Sequence, residues 1–374
     1  MNEWKTAPLG EITSFMSKGI APVYTDERAE GVVVVLNQKC NRNFSISFEE
    51  SRLHDANIKR VPNDRILLPG DVLINSTGAG TAGRVAQIWN VPSLTTVDGH
   101  MIILRCTDSI DPLYYGYALK MHQTQIESLA EGSTGQTEIN RKRLCDEVLI
   151  SYPTDITLQR KIARTLAALD EKIEANRAIN DNLQQQAQAI YTSMFVSNAD
   201  PDWAKGHLSD LITVKYGKDH KKLGDGTYPV FGSGGIMRYV ERPLYTAESV
   251  LIPRKGTLNN VMYVNEPFWS VDTMFFTEMK IPNVAKFVFH FVKAKDLASM
   301  NAGSAVPSMT TDILNALELA IPSAECLAEF ESLVAPMYQA MQANNRESAK
   351  LAELRDTLLP KLISDEIDVS SIQV

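Results

Sequence analysis

Two stretches of this chain repeat each other, and each repeat joins a Trp-led segment to a heptad-patterned helix. Trp4, Leu9, Glu11 and Ile12 correspond to Trp203, Leu208, Asp210 and Leu211 at a constant offset of 199. Nearer the ends of the halves, Ile162, Leu166, Leu169, Ile173, Asn176 and Leu183 correspond to Phe330, Val334, Met337, Met341, Asn344 and Leu351 at an offset of 168. A globular unit duplicated together with a spacer helix must fold into two similar heads held by helices. Such a body suits reading two separated sites on one long ligand.

From Ile162 the seam steps by four and three through Leu166, Leu169, Ile173, Asn176, Asn180, Leu183, Ala187 and Ile190 to Met194. Sustained a/d spacing of this kind makes a coiled-coil seam rather than a one-sided surface helix. Pro153-Thr154 supplies a stop and a candidate N-cap, and Asn198 with Pro201 ends the run. The second copy runs Phe330, Val334, Met337, Met341, Asn344, Ser348, Leu351, Arg355, Leu358 and Leu362, after Pro322-Ser323. Two matched seams in one chain most simply bury each other as an antiparallel pair. Asn176 and Asn344 hold the same place in the two copies, where a polar seam residue sets register at a cost in stability. They either bond to each other or face water. Pro336 is expected to kink the second helix or to delay its proper start until after it.

The heads read differently. Gly31–Leu36, Asp71–Ile74, Met101–Leu104 and Val148–Ile150 are short β-branched runs bounded by Gly, Asn and Pro. Val250–Ile252, Val261–Val264, Met274–Phe276 and Leu317–Ile321 repeat the theme, with helices expected over Pro112–Leu129 and Ala285–Leu297. The fold class is therefore α/β (α+β) heads plus long helices, an internal pseudo-twofold repeat. Its segments are a first head over 1–153, a central spacer helix over 154–199, a second head over 200–322, and a distal spacer helix with tail over 323–374.

The net charge of −8 argues against unaided nucleic-acid binding. It is unevenly spread, at −4, +1, 0 and −5 over residues 1–155, 156–199, 200–322 and 323–374. A partner would have to supply part of any phosphate affinity. Cys40, Cys106, Cys145 and Cys326 form no CxxC pair, which fits a reducing cytoplasm better than a disulfide framework or a zinc site. No signal peptide or membrane span is expected.

Gly78-Ala-Gly80-Thr-Ala-Gly83 satisfies GxGxxG, but Arg84–Trp89 after it reads as a strand. A phosphate-binding fingerprint needs a helix N-terminus there, so a hairpin loop is the better reading. The six histidines form no HxH or HExxH, and no GxSxG, GxxxxGK[ST] or Asn/Asp-Pro-Pro-aromatic motif occurs. No metal site and no catalytic residues are expected in this chain.

What remains is loop polarity. The first head offers Lys39, Arg42 and Asn43, then Arg60, Arg84 and Arg141-Lys142-Arg143. The second offers Lys218, His220, Lys221 and Lys222, then Ser233, Arg254, Lys255 and Asn259. Any one cluster is most simply a solvated face. Their recurrence in both heads points to double-stranded DNA, since Lys and Arg among Asn, Ser and Gly suit phosphate anchoring and base-edge contacts. A coiled-coil scaffold or protein-binding adaptor is the alternative.

Several stretches carry a family likeness, in order along the chain. They are Leu158-Gln-Arg-Lys-Ile-Ala-Arg-Thr-Leu166 after Tyr152-Pro153, Gly70-Asp-Val-Leu-Ile74, Ser76-Thr-Gly-Ala79 and Gly83-Arg-Val85. The second half shows Tyr228-Pro-Val-Phe-Gly-Ser-Gly-Gly235, Arg254-Lys-Gly256 and Phe268-Trp-Ser-Val-Asp-Thr273. Gly132-Ser-Thr134 and Gly303-Ser304 sit near the close of each head. On these residues the chain resembles the specificity subunit of type I restriction-modification systems over nearly its whole length. The resemblance implies two target recognition domains, each reading half of a bipartite site and separated by two conserved helices. It also implies two methyltransferase (modification) subunits and restriction (motor-nuclease) subunits as partners, with S-adenosylmethionine, ATP and Mg bound there and none in this chain. One departure is Glu325-Cys-Leu-Ala-Glu-Phe330, which stands where the first helix has its basic Gln-Arg-Lys run.

Overall fold

Strand pairing follows one plan twice. The structure, a computed structural model, describes residues 3–132, 137–300 and 308–367. By contacts the chain falls into two units, Met1–Glu174 with Glu347–Val374, and Ala175–Arg346. Segments 154–199 and 323–374 are thus shared between the units, because each head core takes in the nearest apolar turns of both spacer helices.

In the first unit, Trp4–Pro8 pairs antiparallel with Leu149–Pro153, closing the head where the spacer helix begins. Its central sheet runs Thr13–Lys18, Met101–Cys106, Val72–Asn75, Val85–Gln87, all antiparallel. A peripheral sheet sets Thr95–Val97 parallel to Val34–Leu36. In the second unit, Ala204–His207 pairs with Glu318–Ile321, and the central sheet runs Ile212–Tyr216, Met274–Met279, Ser249–Pro253, Met262–Val264. There too a peripheral strand, Trp269–Ser270, lies parallel to Val230–Phe231. The Gly78–Gly83 stretch joins two antiparallel strands, as a hairpin loop does.

In each head the longest helix packs against the central sheet. Pro112–Met121 starts where the Asp111 carboxylate accepts from Leu113 N–H at 3.0 Å and Tyr114 N–H at 3.2 Å, with Pro112 first in the helix. It stops at His122 and a second helix, Gln123–Ser128, follows, so the expected single helix to Leu129 is two pieces. In the second head the helix is Ala285–Lys293, and it buries Phe287, Phe289 and Phe291.

The first spacer helix spans Ile156–Thr192 and ends in a π turn over Ser193–Ser197. Its cap is Asp155, which accepts from Thr157 N–H at 2.8 Å, whereas the Thr154 hydroxyl donates to Glu3 O instead. The second spans Ala324–Ile363 without a break at Pro336, which corrects the expected late start. Pro336 leaves the Ser332 carbonyl without its helical donor, but both residues are exposed, so water can satisfy that group. Meanwhile Phe330, Val334 and Tyr338 are buried on the opposite side, and their packing favours a helix that continues past the proline.

No seam residue is exposed, and Ile162, Leu166, Asn176, Ala187, Phe330, Val334 and Leu362 are buried. In the first unit Leu158, Ile162, Ala163 and Leu166 share a core with Leu359, Leu362 and Ile363 and with the head helix. In the second, Ala187, Tyr191 and Phe195 share one with Leu327, Phe330, Val334 and Tyr338. Full burial of an aliphatic side chain contributes about 1.5–3 kcal/mol, so these shared cores bind each head to its turns of both helices. Pairing is antiparallel in both units. Asp170 meets Arg355 and Lys172 meets Glu347 in the first; in the second, Asn176 Nδ2 donates to Asn344 O at 3.4 Å, and Asn344 Nδ2 donates to Asn180 Oδ1 at 2.8 Å. Asn180 Nδ2 in turn donates to Asn345 Oδ1 at 2.8 Å. Asn176 and Asn344 are thus linked side chain to backbone within an asparagine ladder.

Candidate nucleic-acid interface

The central sheet of each head ends in a corner assembled by the same backbone contacts. In the first head Gly19 N–H donates to Met101 O at 3.0 Å, Ser76 N–H to His100 O at 2.7 Å, and Ile139 N–H to Ser76 O at 2.8 Å. In the second, Gly217 N–H donates to Met274 O at 3.0 Å, Arg254 N–H to Thr273 O at 2.9 Å, and Met309 N–H to Arg254 O at 2.9 Å. Antiparallel bridges then join Thr77 to Glu138 and Lys255 to Ser308. A Cβ at Gly19 would lie 2.0 Å from Val97 O, and one at Gly217 2.0 Å from Val271 O, so only glycine fits either place. The chain then turns left-handed at Gly78 (φ 115) and Gly256 (φ 86). Facing those turns are Gln38, whose backbone carbonyl accepts from Asn75 Nδ2 at 3.1 Å, and Ser233, whose carbonyl accepts from Asn260 Nδ2 at 2.8 Å.

The backbone is held in common and Gly19, Gly78 and Met101 match Gly217, Gly256 and Met274, but the side chains differ at the other matched places. Lys18 stands where the second head has Tyr216, Gln38 where it has Ser233, and Ser76 where it has Arg254. Thr77, His100 and Glu138 match Lys255, Thr273 and Ser308. The first corner holds an ion pair of Lys18 with Glu138, and the Thr77 hydroxyl lies 2.7 Å from His100 Nδ1. Gln38 Oε1, Asn41 Oδ1, Asn75 Oδ1 and Ser76 Oγ are buried there with no hydrogen-bond partner among the described residues. Each such atom costs about 1–3 kcal/mol, a cost that is offset when a ligand or water donates to it. The second corner is cationic and aromatic. Arg254 lies with Cζ 5.3 Å from the centre of the Tyr216 ring, and Tyr216 is 51% exposed.

The expected DNA-facing residues divide on this frame. Lys39 follows Gln38, and Arg84 closes the Gly78–Gly83 loop with its guanidinium on Gly80 O at 3.1 Å, so both belong to the first corner. Arg42 and Asn43 form the turn beside it, for Asn41 Nδ2 donates to Arg84 O at 2.9 Å. Arg60 is exposed on the turn whose Lys59 reaches Ala21 O at 2.8 Å. Arg141 and Lys142 open the short helix Arg141–Glu147 and are exposed. Arg143 is engaged, gripping Glu131 and Glu147 at 2.6 Å each; those carboxylates raise its pKa further, and it lowers theirs.

In the second head Lys218 follows Gly217, and its carbonyl accepts from Trp269 Nε1 at 2.8 Å, so the Lys218–Lys222 loop springs from the corner. Lys221 and Lys222 are exposed and His220 is half-buried. Ser233, Arg254 and Lys255 are brought together at the corner. Asn259 spends both ends of its amide locally, on Asp296 Oδ1 and on Ala298 N–H at 3.0 Å each, which suits holding a loop more than reading a base. Lys18, His100 and Tyr216 were missed from the sequence. The signal was there: Lys18-Gly19 and Tyr216-Gly217 fall almost at the offset that aligns the two Trp-led segments. Ser133, Thr134, Gly303 and Ser304 lie outside the described residues.

Among the described residues no group of three or more His, Cys, Asp or Glu is placed to hold a metal ion, and no helix is long and apolar enough to cross a membrane.

A family model for the type I restriction modification DNA specificity domain matches residues 1–185 and again 201–326. A putative type I specificity subunit of Mycoplasma genitalium is 24% identical over 288 residues, covering 70% of this chain and 74% of that protein. The MjaIX type I restriction enzyme specificity subunit of Methanocaldococcus jannaschii is 23% identical over 352 residues, covering 82% and 80%. The crystal structure of a type I restriction-modification S subunit from M. genitalium superposes with a TM-score of 0.58 at 20% identity, over 96% of each chain.

Proposed function

The chain belongs to the family of type I restriction-modification DNA specificity subunits, and from that membership we propose that its two sheet corners are its two base-reading sites. The chain supplies the DNA sequence specificity of such a system, is not itself the catalyst, and works in a complex with DNA and the system's other subunits. Each corner reads one half of a bipartite, asymmetric site. The observation that carries this reading is the shared corner backbone, with its glycines kept and six polar or charged places, Lys18, Gln38, Ser76, Thr77, His100 and Glu138, filled by other side chains in the second head. A common frame presents two half-sites with the same docking geometry, and the exchanged side chains give each its own sequence. Corner-adjacent Lys39, Arg42, Arg84, Arg141, Lys142, Lys218, Lys221 and Lys222 supply phosphate contacts.

The finer partners follow the same reading. Two methyltransferase subunits supply the adenine methylation and bind S-adenosylmethionine, and restriction subunits bind ATP and Mg. Apolar side chains left exposed on the spacer helices, Ile179, Val196, Leu333 and Leu354, are suited to docking them. So is a cavity of about 740 Å³ in the first unit, where Phe44, Trp89 and Leu113 of the head face Ala167 and Ala168 of the first spacer helix. Footprinting of the chain with its methyltransferase on random duplexes tests the reading. Protection of one two-part sequence supports it, and protection without sequence preference overturns it.

A further inference from the structure

Arg254 is fixed in backbone and side chain alike, and it differs from Arg84 of the first corner, whose guanidinium rests on Gly80 O, in having its guanidinium over an aromatic ring. Its N–H donates to Thr273 O and its carbonyl accepts from Met309 N–H, both at 2.9 Å, so its backbone is stitched between two segments at the sheet end. Its guanidinium lies over the Tyr216 ring, which is itself braced edge-on by Phe275 with centroids 5.1 Å apart. One terminal nitrogen donates to Asp272 O at 3.3 Å. That leaves donors on the other edge of the fork uncommitted in the described structure. A planar fork so fixed has already lost the rotamer freedom that binding would otherwise cost. A phosphate contact needs no such fixing, and exposed lysines such as Lys221 and Lys222 are suited to it.

The matched residue of the first head is Ser76, fully buried and short, and the place of Tyr216 is taken by Lys18, bound to Glu138. The first corner therefore cannot present a guanidinium from this position. The acceptor pair that a parallel N–H fork matches in the major groove is O6 and N7 of guanine. Resting on the reading of the corners as base-reading sites, we propose that Arg254, oriented by Tyr216, reads a guanine in the half-site of the second head, and that nothing at the matched place of the first head does so.

The experiment uses the chain in complex with its methyltransferase, on duplex libraries randomised one base pair at a time through both half-sites. R254K retains the charge and loses the fork; R254A loses both; Y216A leaves Arg254 intact and removes its support. The expected result is that R254K and R254A lose discrimination for guanine at one position of the second half-site, by about 5- to 100-fold, the equivalent of about 1–3 kcal/mol. Y216A should lose part of the same discrimination, and the first half-site should read unchanged in all three. The proposal is overturned if R254K discriminates like the parent, or if R254A weakens all sequences equally with a shallower salt slope, as loss of a phosphate contact would. If the unaltered complex shows no sequence preference, it is the reading of the corners that fails, a result distinct from either.

Discussion

His290 Nε2 and the Tyr338 hydroxyl lie 2.8 Å apart in the core of the second unit, where the sixth residue of the head helix meets the fifteenth of a spacer helix. The first unit makes the same junction with other chemistry. Tyr117, also sixth in its helix, donates to Asp170, fifteenth in its spacer helix, at 2.7 Å. In each unit a helix from the opposite copy of the repeat adds a third member. Arg355 bonds to Asp170, and Gln188 Oε1 lies 2.8 Å from His290 Nδ1. Duplication preserved the place of the head-to-helix joint and let its polarity drift, from a charged triad with Lys120 at its edge to an uncharged one.

That difference makes the second unit the acid-sensitive one at this joint. His290 is fully buried and stacked on Tyr191, and desolvation lowers its pKa to about 3 from the ordinary 6.5. With the folded pKa depressed, the stability is fully present above pH 6.5 and is lost as pH falls from there toward 3, since only the unfolded chain takes up the proton. The limiting slope is about 1.4 kcal/mol per pH unit. Urea denaturation of the parent and of H290Q between pH 7 and 5 checks this. The variant should lack that component of the pH dependence, and equal slopes in both chains would contradict it.

Pro336 costs the second spacer helix a hydrogen bond on an exposed face without adding a buried contact of note. P336A should raise stability by about 1–3 kcal/mol, the range between a hydrated and an unsatisfied carbonyl. A shift of the urea midpoint with unchanged m-value is the measurement, and a drop in stability would mean the helix is bent around the proline to good purpose.

Exchange of residues 1–155 for the first head of another family member should alter one half-site and leave the other as it was. Methylome sequencing of cells expressing the exchanged chain with its methyltransferase reads both halves at once. A change in both would show that the heads do not read independently.

The spacer helices should also set the length of the unread DNA between half-sites. Ile162 to Met194 is roughly 50 Å of helix at ~1.5 Å per residue. Adding one heptad to both helices lengthens the pair by about 10 Å, or about 3 base pairs at ~3.4 Å each. A methylome whose spacer is unchanged by the insertion would rule out that role.

Much of this architecture was legible in the sequence because its causes are local or periodic. The a/d steps from Ile162 and from Phe330 need only helical geometry to define a buried stripe, and none of those seam residues is exposed. The short β-branched runs needed only their Gly and Pro boundaries to read as strands. The late start expected from Pro336 does not occur, because local propensity competes with a buried face whose packing only the tertiary structure shows. The corners lay beyond sequence reading for a related reason. Lys18 meets Glu138, Ser76 takes its bonds from His100 and Ile139, and Arg254 rests on Tyr216 through strand registers, and no period in the chain encodes which loop ends a register will bring together. Periodicity and composition along the chain are enough to establish two heads, two seams and polar loops in both. Which of those polar residues share a site was decided by the tertiary structure, because a sheet corner is assembled from segments far apart along the chain.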